Sequence, residues 1–188
     1  MKPLKIQEKL LLLKVRKKDP DAFGQIYDLY VTSIYRFIYF KVANRADAED
    51  LTSEVFLKIW QYLIDCEDEI DNLRALIYKF ARNLVIDFYR QRAKRELIGD
   101  EEMMLKVEDS RQQNILSQIE TKSDLGNIEI VLAGVKDVYR EVLVLRYIEE
   151  LSISEMAKIL EKSKGSVRVL LHRALKIVRE VVKKNESG

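Results

Sequence analysis

The stretch that most constrains the fold is a pair of short helical segments near the carboxyl end of the chain. Ser152 is followed three residues later by Glu155, which is the spacing of a capping box. After a short break, Ser163 is placed to cap a second helix. Apolar residues then recur at helical spacing, at Val167, Leu171, Ala174, Leu175, Val178 and Val182. The pattern predicts a helix-turn-helix.

The second of these helices has a basic outer face. Arg168, His172 and Lys176 fall on one stripe of it, flanked by Lys164 and Arg173. A helix fits the major groove of DNA, where its first exposed turns reach base edges and its cations reach phosphates. A basic helix alone would favour the plainer alternative, an amphipathic helix with a solvated face. The capped helix-turn-helix context favours DNA.

The segment LRYIEELSISEMAKILEKSKGSVRVLLHRALK resembles region four of bacterial sigma factors, which reads the minus-thirty-five promoter element. Glu161 stands where the family usually has Gly, and Val169-Leu170 replaces a polar-basic pair. Val169 is therefore expected to contact a thymine methyl group. The residues that the resemblance places on duplex DNA are Lys164, Ser166, Arg168, Val169, His172, Arg173 and Lys176.

Composition favours long helices. The chain has 188 residues, enough for one large or two small domains, with only 6 Gly and 2 Pro. Its net charge of +2 does not by itself indicate a nucleic-acid binder; the segregation of acidic and basic stretches along the chain is more informative. The apolar run Leu10–Leu13 is too short for a signal peptide core or a membrane span, so we expect a cytoplasmic, soluble protein.

The chain has a single cysteine, which limits the disulfides, metal sites and catalytic sites that it can form. Cys66 excludes an intramolecular disulfide framework and a cysteine-based zinc site. A catalytic pair of Cys66 with His172 lacks any of the nucleophile signatures of cysteine enzymes. No cofactor or metal is expected, because phosphate-binding loops and metal-ligand spacings are not visible in the sequence.

In the N-terminal half we predict a helix over 4–15, a second that Asp19 caps and Pro20 opens, and a third over 48–63. The core stripe of the second comprises Phe23, Ile26, Tyr27, Tyr30, Ile34, Phe37 and Ile38.

The third helix has an acidic face with one large apolar residue. Its core stripe is Leu51, Val55, Ile59 and Tyr62, and Leu57 lies about 120° away from it at 100° per residue. Physical reasoning leaves a partner surface and a solvated acidic face equally open. DAEDLTSEVFLKIW, however, resembles the part of sigma region two that docks on the clamp helices of RNA polymerase, with Ser53 where Gln is usual. The resemblance implies that core polymerase is contacted by Asp47, Asp50, Ser53, Glu54 and Leu57.

The segment LRALIYKFARNLVIDFYRQRAKR predicts a long helix with an apolar stripe of Leu76, Phe80, Leu84 and Phe88. Cations are interleaved with Tyr78, Phe88 and Tyr89, a mixture that suits single-stranded DNA. The alternative is a basic amphipathic helix in which Asp87 pairs with Arg90.

This segment resembles sigma regions 2.3 and 2.4, which melt the promoter and capture the minus-ten element. The resemblance implies that Asn83 lies nearest a flipped base and that the backbone is contacted by Lys79, Arg82 and Arg90. The loop Cys66–Leu73 is then expected to help form the base pocket, although it is unusually acidic.

Residues 96–127 are rich in acidic and polar side chains and read as a linker, partly helical around 115–119. A solvated tether and a segment lying on basic surfaces both remain open. We expect one domain over 1–95 and another over 128–188, in which Asp137 caps a helix over 139–147.

The sequence thus predicts an all-α protein with two helical domains joined by an acidic linker. It is identified as resembling the extracytoplasmic-function group of sigma factors. Such a factor binds core RNA polymerase, recognises promoter DNA as duplex and as melted strand, and is not itself an enzyme. The resemblance also implies an anti-sigma factor as a partner. The alternatives are a stand-alone dimeric helix-turn-helix regulator, and a helical enzyme, which would need a convergent cluster that the sequence does not show.

Overall fold

The computed structural model of the chain describes residues 4–42, 44–66, 68–98, 132 and 134–186. Within these ranges the chain forms helices joined by short connections, and no strand occurs among them. The helices are α1 Leu4–Val15, α2 Pro20–Val42, α3 Arg45–Asp65, α4 Leu73–Ile98, α5 Asp137–Leu143, α6 Ile153–Leu160 and α7 Lys164–Glu186. A π-helical turn, Val144–Ile148, continues α5.

Helices α1 to α4 form the first bundle, and local signals set their starts. The Asp19 carboxylate accepts the backbone N–H groups of Asp21 and Ala22 at 3.0 and 3.1 Å, which confirms the predicted cap of α2. Helix α3 begins three residues earlier than predicted, because Asn44 caps it by accepting the backbone N–H of Asp47. The bundle encloses a core that includes Ile26, Ile34, Phe37, Ile38, Val55, Ile59, Ile77 and Tyr78.

Three aromatic residues depart from the predicted pattern. Tyr27 and Tyr62 were expected in the core, but each is partly exposed. Tyr78 was expected among rings available to DNA bases, but its side chain is fully buried. Helix α4 is covered by α2 and α3 on one side and by α6 on another, so its buried surface is wider than a single stripe. Of the predicted stripe on α4, Leu84 is buried and Leu76, Phe80 and Phe88 are partly buried.

Helices α5 to α7 form the second bundle. The predicted helix over 139–147 is divided between α5 and the π-helical turn. The expected cap at Asp137 is wrong: Lys136 occupies that position without a side-chain bond, and Asp137 instead pairs with Lys41 at 2.7 Å. The core of this bundle includes Leu145, Leu151, Met156, Ile159, Val167 and Ala174.

The two bundles lie against each other. Helix α2 packs on the π-helical turn, and α4 packs on α6. Helix α4 runs to Ile98, so it continues past the end expected for the first domain. The rest of the predicted linker, including its helical part around 115–119, lies outside the described residues.

Candidate nucleic-acid and protein interfaces

The helix-turn-helix has the start signals that the sequence predicted. The Ser152 hydroxyl accepts the backbone N–H of Glu155 at 3.2 Å, while the Glu155 carboxylate accepts the backbone N–H of Ser152 at 2.9 Å. Ser163 accepts the backbone N–H of Ser166 at 3.1 Å and so caps α7. Between the two helices Glu161 takes a left-handed conformation with φ 53°. The turn therefore forms without the usual glycine, at the steric cost of a side chain in this region.

Helix α7 turns its apolar stripe inward and its predicted DNA face outward. Val167, Leu171 and Ala174 are buried against the second bundle. Val169 is 51% exposed, so a methyl contact with a base is open to it. The predicted duplex-contacting residues are all exposed on this helix: Lys164, Ser166, Arg168, Val169, His172, Arg173 and Lys176.

The acidic and apolar surface predicted on α3 is present. Leu57 is 68% exposed, and Leu51 and Val55 on the opposite side are buried. Asp50, Ser53 and Glu54 are exposed and Asp47 is half-buried. Glu54 pairs with Lys58 one turn away at 3.3 Å, in a solvent-exposed contact that is weak in water.

An apolar cleft of about 390 Å³ lies beside this surface. Edge-to-face ring pairs form its walls, with Phe23 on Trp60 at 4.8 Å and Tyr27 on Phe56 at 4.7 Å between centroids. Leu57 forms part of its rim. The helical pattern had placed Phe23 and Tyr27 in the core; the structure puts both at the wall of the cleft.

The predicted contacts with melted DNA lie on α4 in two different settings. Asn83 and Arg90 are exposed, and Arg90 reaches Asp87 at 3.5 Å, a pair that is compatible with both of the sequence-based alternatives. Lys79 and Arg82 instead face the second bundle. Lys79 Nζ lies 2.7 Å from the Glu161 carboxylate. Arg82 Nε lies 3.2 Å from the carboxylate of the buried Glu141.

Cations of α2 make further contacts with acidic residues of the second bundle. Lys41 is buried, with Nζ 2.7 Å from Asp137 and 3.5 Å from Glu141. Arg36 donates to the two carboxylate oxygens of Glu149 at 2.7 and 3.1 Å. The sequence did not indicate these pairs, because their partners lie more than ninety positions apart in the chain.

Glu149 is the most enclosed of these acidic residues, and its side chain has no exposed surface. Besides the Arg36 fork, its carboxylate accepts the Tyr78 hydroxyl at 2.7 Å. Its backbone carbonyl accepts a hydrogen bond from Arg74, whose guanidinium also lies over the Tyr78 ring. We refer to Arg36, Arg74 and Tyr78 as the Glu149 cradle.

The contacts of these acidic groups shift several pKa values. The hydrogen bond from Lys79 holds the pKa of Glu161 below its ordinary value. The bond to Glu149 raises the pKa of Arg36, and burial together with the Glu149 charge raises the pKa of Tyr78. Burial acts to raise the pKa of Glu155, but the bonds from Ser152 and Asn72 outweigh it, so the net shift is downward.

A second cleft, of about 380 Å³, lies beside the loop that the resemblance implies helps to form a base pocket. The loop between α3 and α4 forms much of its wall, and Lys158 of α6 borders it. Part of the loop's acidity has partners: Asp71 lies 3.5 Å from Lys158, and Glu69 lies 3.4 Å from Lys9 of α1. Arg16, the residue directly after α1, donates to the backbone carbonyl of Asp68 and ties the loop to the end of the first helix.

In the part of the chain that the structure describes, no group of three or more His, Cys, Asp or Glu side chains is placed to hold a metal ion. No helix among those residues is both long and apolar enough to cross a membrane.

Comparison with known families assigns both bundles. The model of sigma-70 region 2 matches residues 26–95, which include most of α2, all of α3 and most of α4. The model of sigma-70 region 4 matches residues 127–178, which include the helix-turn-helix.

Individual proteins match across both regions. The chain is 31% identical to the ECF RNA polymerase sigma factor SigW of Bacillus subtilis, over 89% of its own length and 92% of that protein. It is 29% identical to the ECF RNA polymerase sigma factor BldN of Streptomyces coelicolor, over 92% of its length and 64% of BldN. Among solved structures, CnrH in complex with the cytosolic domain of CnrY has a TM-score of 0.71 at 20% identity, covering 95% of this chain and 98% of that one.

Proposed function

The chain belongs to the sigma-70 family as an ECF RNA polymerase sigma factor, and from that premise we propose how its surfaces divide the work of initiation. It is a factor that binds core RNA polymerase and directs promoter-specific transcription. A stand-alone dimeric regulator is not favoured, because region 2 and region 4 matches occur on one chain. Sigma factors are regulatory DNA-binding proteins, so the reaction chemistry belongs to the polymerase.

The proposed polymerase surface is the acidic and apolar side of α3. Asp50 and Glu54 supply charge for basic residues of a partner, and Leu57 supplies an apolar contact that is exposed in the free chain. Asp47 and Ser53 border this surface. The adjoining cleft of about 390 Å³ offers a recess for an apolar side chain of the partner. The observation that carries the proposal is the exposure of Leu57 beside the apolar cleft and among acidic residues, because an apolar patch rimmed by polar side chains is typical of a protein interaction site.

The proposed duplex-reading surface is the outer face of α7. Arg168 lies in its first exposed turns and is suited to a bidentate contact with guanine, while Lys176 and Arg173 are suited to phosphates. Val169 would add an apolar contact with a thymine methyl group. Ser166 and Lys164 are proposed to contact DNA near the start of the helix, and His172 one turn after Arg168.

The proposed melting surface is α4 with the loop before it. Asn83 is proposed to touch a flipped base, and Lys79, Arg82 and Arg90 to hold the strand's backbone. Extruding a base costs a few kcal/mol, and a good stacking contact returns about 1–3 kcal/mol. A small domain held on polymerase is therefore able to keep a melted strand without ATP.

We further propose domains over 1–95 and 128–188 with a linker over 96–127, and a cytoplasmic location where the polymerase acts. Family membership also supports an anti-sigma factor as a partner that would cover these surfaces; CnrH was itself solved bound to the cytosolic domain of CnrY. Transcription with purified core polymerase tests the function. Addition of the chain should give promoter-dependent transcripts, and transcripts that do not depend on it would contradict the proposal.

A further inference from the structure

The Glu149 cradle is built like a site for a phosphate group. Arg36 holds two oxygens of one anion through its fork of N–H groups, and Tyr78 donates a third hydrogen bond. A guanidinium fork fits the oxygens of a carboxylate and of a phosphate equally well. Arg74, stacked over Tyr78, brings a second positive charge to the site. The Glu149 carboxylate therefore stands in for an anion that these donors are also suited to bind.

The position of the cradle extends the strand-binding surface proposed above. Arg74, Tyr78 and Arg82 are spaced four residues apart, so they form one row along α4. The row spans about 12 Å at 1.5 Å per residue. Arg82, at its far end, is proposed to hold the backbone of the melted strand and is paired here with Glu141. Tyr78 and Arg82 of this row thus each contact a carboxylate of the second bundle, and Arg74 donates to the backbone carbonyl of Glu149.

Two more cations of the first bundle are paired with carboxylates of the second. Lys79, on the neighbouring side of α4, is paired with Glu161, and Lys41 of α2 is paired with Asp137. The second bundle therefore presents carboxylates to these three cations, Arg82, Lys79 and Lys41, and to the cradle at once. A strand of DNA presents a comparable row of negative groups to such a surface.

We propose that Arg36, Arg74 and Tyr78 bind a backbone phosphate of the melted strand, and that Glu149 occupies this site when the two domains lie together. The region four domain and single-stranded DNA then compete for one face of the region two domain. The domains must separate before the strand can bind. This inference rests on the proposed function, because the ligand is the strand that a sigma factor holds open.

The competition sets the apparent affinity for the strand through the fraction of molecules whose domains are apart. A protein whose binding-competent state is only partly populated binds its ligand more weakly, by the fraction that is competent. Weakening the closed arrangement raises that fraction and hence the apparent affinity. Glu149 is the best residue to change, since its side chain has no exposed surface and is absent from the proposed strand-binding set.

The test measures binding of a short fluorescein-labelled single strand to the full chain by fluorescence anisotropy. Glu149→Gln should strengthen binding about fivefold or more, since it weakens the closed arrangement. Glu150→Gln is the matched control, because it makes the same charge change at the next residue, which is exposed. Equal affinities for wild type and Glu149→Gln, or an equal gain in the control, would overturn the competition.

A second variant distinguishes a phosphate-binding site from a contact that only holds the two domains together. If Arg36 only held the domains together, Arg36→Gln would open them and raise strand affinity as far as Glu149→Gln does. A phosphate site predicts instead that the gain from Glu149→Gln disappears when Arg36→Gln is added. A double variant that keeps the full gain would remove Arg36 from the strand site.

Two further measurements identify the ligand and check that each variant is folded. Inorganic phosphate and chloride at equal ionic strength should weaken strand binding equally; displacement by phosphate alone would identify free phosphate as the ligand and overturn the strand assignment. Circular dichroism checks each variant. Should Glu149→Gln not fold, Glu161→Gln, whose carboxylate is exposed, frees Lys79 and must also raise strand affinity, or the competition is overturned.

Binding to core polymerase, measured in parallel, distinguishes a failure of this inference from a failure of the proposed function. Glu149→Gln should bind core as wild type does, since the proposed polymerase surface on α3 is unchanged. If the chain binds core polymerase but Glu149→Gln leaves its affinity for the single strand unchanged, only this inference is rejected. If the wild-type chain does not bind core polymerase, the proposed function is rejected.

Discussion

The ammonium group of Lys79 lies 2.7 Å from the carboxylate of Glu161, so a cation predicted to meet melted DNA is joined to the turn of the helix-turn-helix. Glu161 occupies the position where the family usually has glycine, and it adopts the left-handed conformation that glycine favours. A residue that departs from the family pattern thus also connects the two domains. The side chain at this position adds a contact between the domains, and the backbone keeps the left-handed conformation of the turn.

This pair predicts a pH dependence. Lys79 lowers the pKa of Glu161 from its ordinary value of 4.5 when the domains are together. The contribution of the pair is therefore fully present above about pH 4.5 and is lost as the pH falls through the lowered pKa. Energy transfer between dyes on the two domains should decrease over that interval. The change should be modest, since both groups are exposed and screened by salt. A pH profile identical in Glu161→Gln would contradict this assignment.

Removal of the cap on α6 should destabilise the second domain. Ser152→Ala removes the hydroxyl that accepts the Glu155 backbone N–H, and such substitutions cost about 1 kcal/mol. Ser154→Ala is the control, because Ser154 is exposed two residues later, and exposed substitutions usually change stability by less than about 0.5 kcal/mol. Urea unfolding measures both variants. Equal stabilities would show that the capping box contributes nothing in solution.

Features that depend on neighbours in the chain were predictable from the sequence. The capping box at Ser152, the cap at Ser163 and the exposure of Leu57 follow from spacings within a helix turn or two, and all three are confirmed. The helical period also identified Val167 and Leu171 as core residues of α7.

Features that depend on packing between the domains were not predictable. Tyr78 lies among basic residues in the sequence, and periodicity alone does not tell that a second bundle covers that side of α4. The Arg36 and Glu149 pair joins residues 113 positions apart. The nearest signal was the presence of acidic residues in the second domain, at Asp137, Glu141 and Glu149, and of cations on α2 and α4 of the first. Charge complementarity alone does not specify which residues pair.

Arg168→Ala should weaken binding to a specific promoter duplex by about 1–3 kcal/mol if the contact with guanine is bidentate. The side chain is exposed on α7, so the fold should be unaffected. Gel-shift titration of the polymerase complex measures the effect, and a scrambled upstream element is the control. A loss of the same size on both sequences would identify a phosphate contact, and no loss would remove Arg168 from the reading surface.

Asn83→Ala should reduce the open complex more than the closed complex, because a flipped base is available only after melting. Asn83 is exposed on α4, and Gln91→Ala is a control at an exposed position two turns later. Permanganate footprinting reports the open complex, and gel shift at low temperature reports the closed one. Equal losses in both complexes would point to a structural role for Asn83.

Reversing the charge of the α3 surface should prevent capture by polymerase. The double variant Asp50→Lys with Glu54→Lys replaces two exposed carboxylates with two positive charges. These charges would face a basic surface of the partner, and repulsion between like charges at an interface costs several kcal/mol. Asp28→Lys with Glu180→Lys makes the same net change at exposed positions elsewhere. Pull-down of core enzyme should fail for the first double variant and succeed for the second, with unchanged circular dichroism. Retained capture by the first would place the polymerase contact on another surface.

Gel filtration of the wild-type chain with bacterial core RNA polymerase, without DNA, tests the central claim most directly. We predict a stable complex in which the chain and core polymerase elute together. If the chain elutes apart from core as a dimer, the sigma assignment is contradicted and a palindromic operator becomes the site to seek. If it elutes apart as a monomer, residues 1–98 are tested in the same way; their failure to bind would contradict the claim that the α3 surface recruits polymerase.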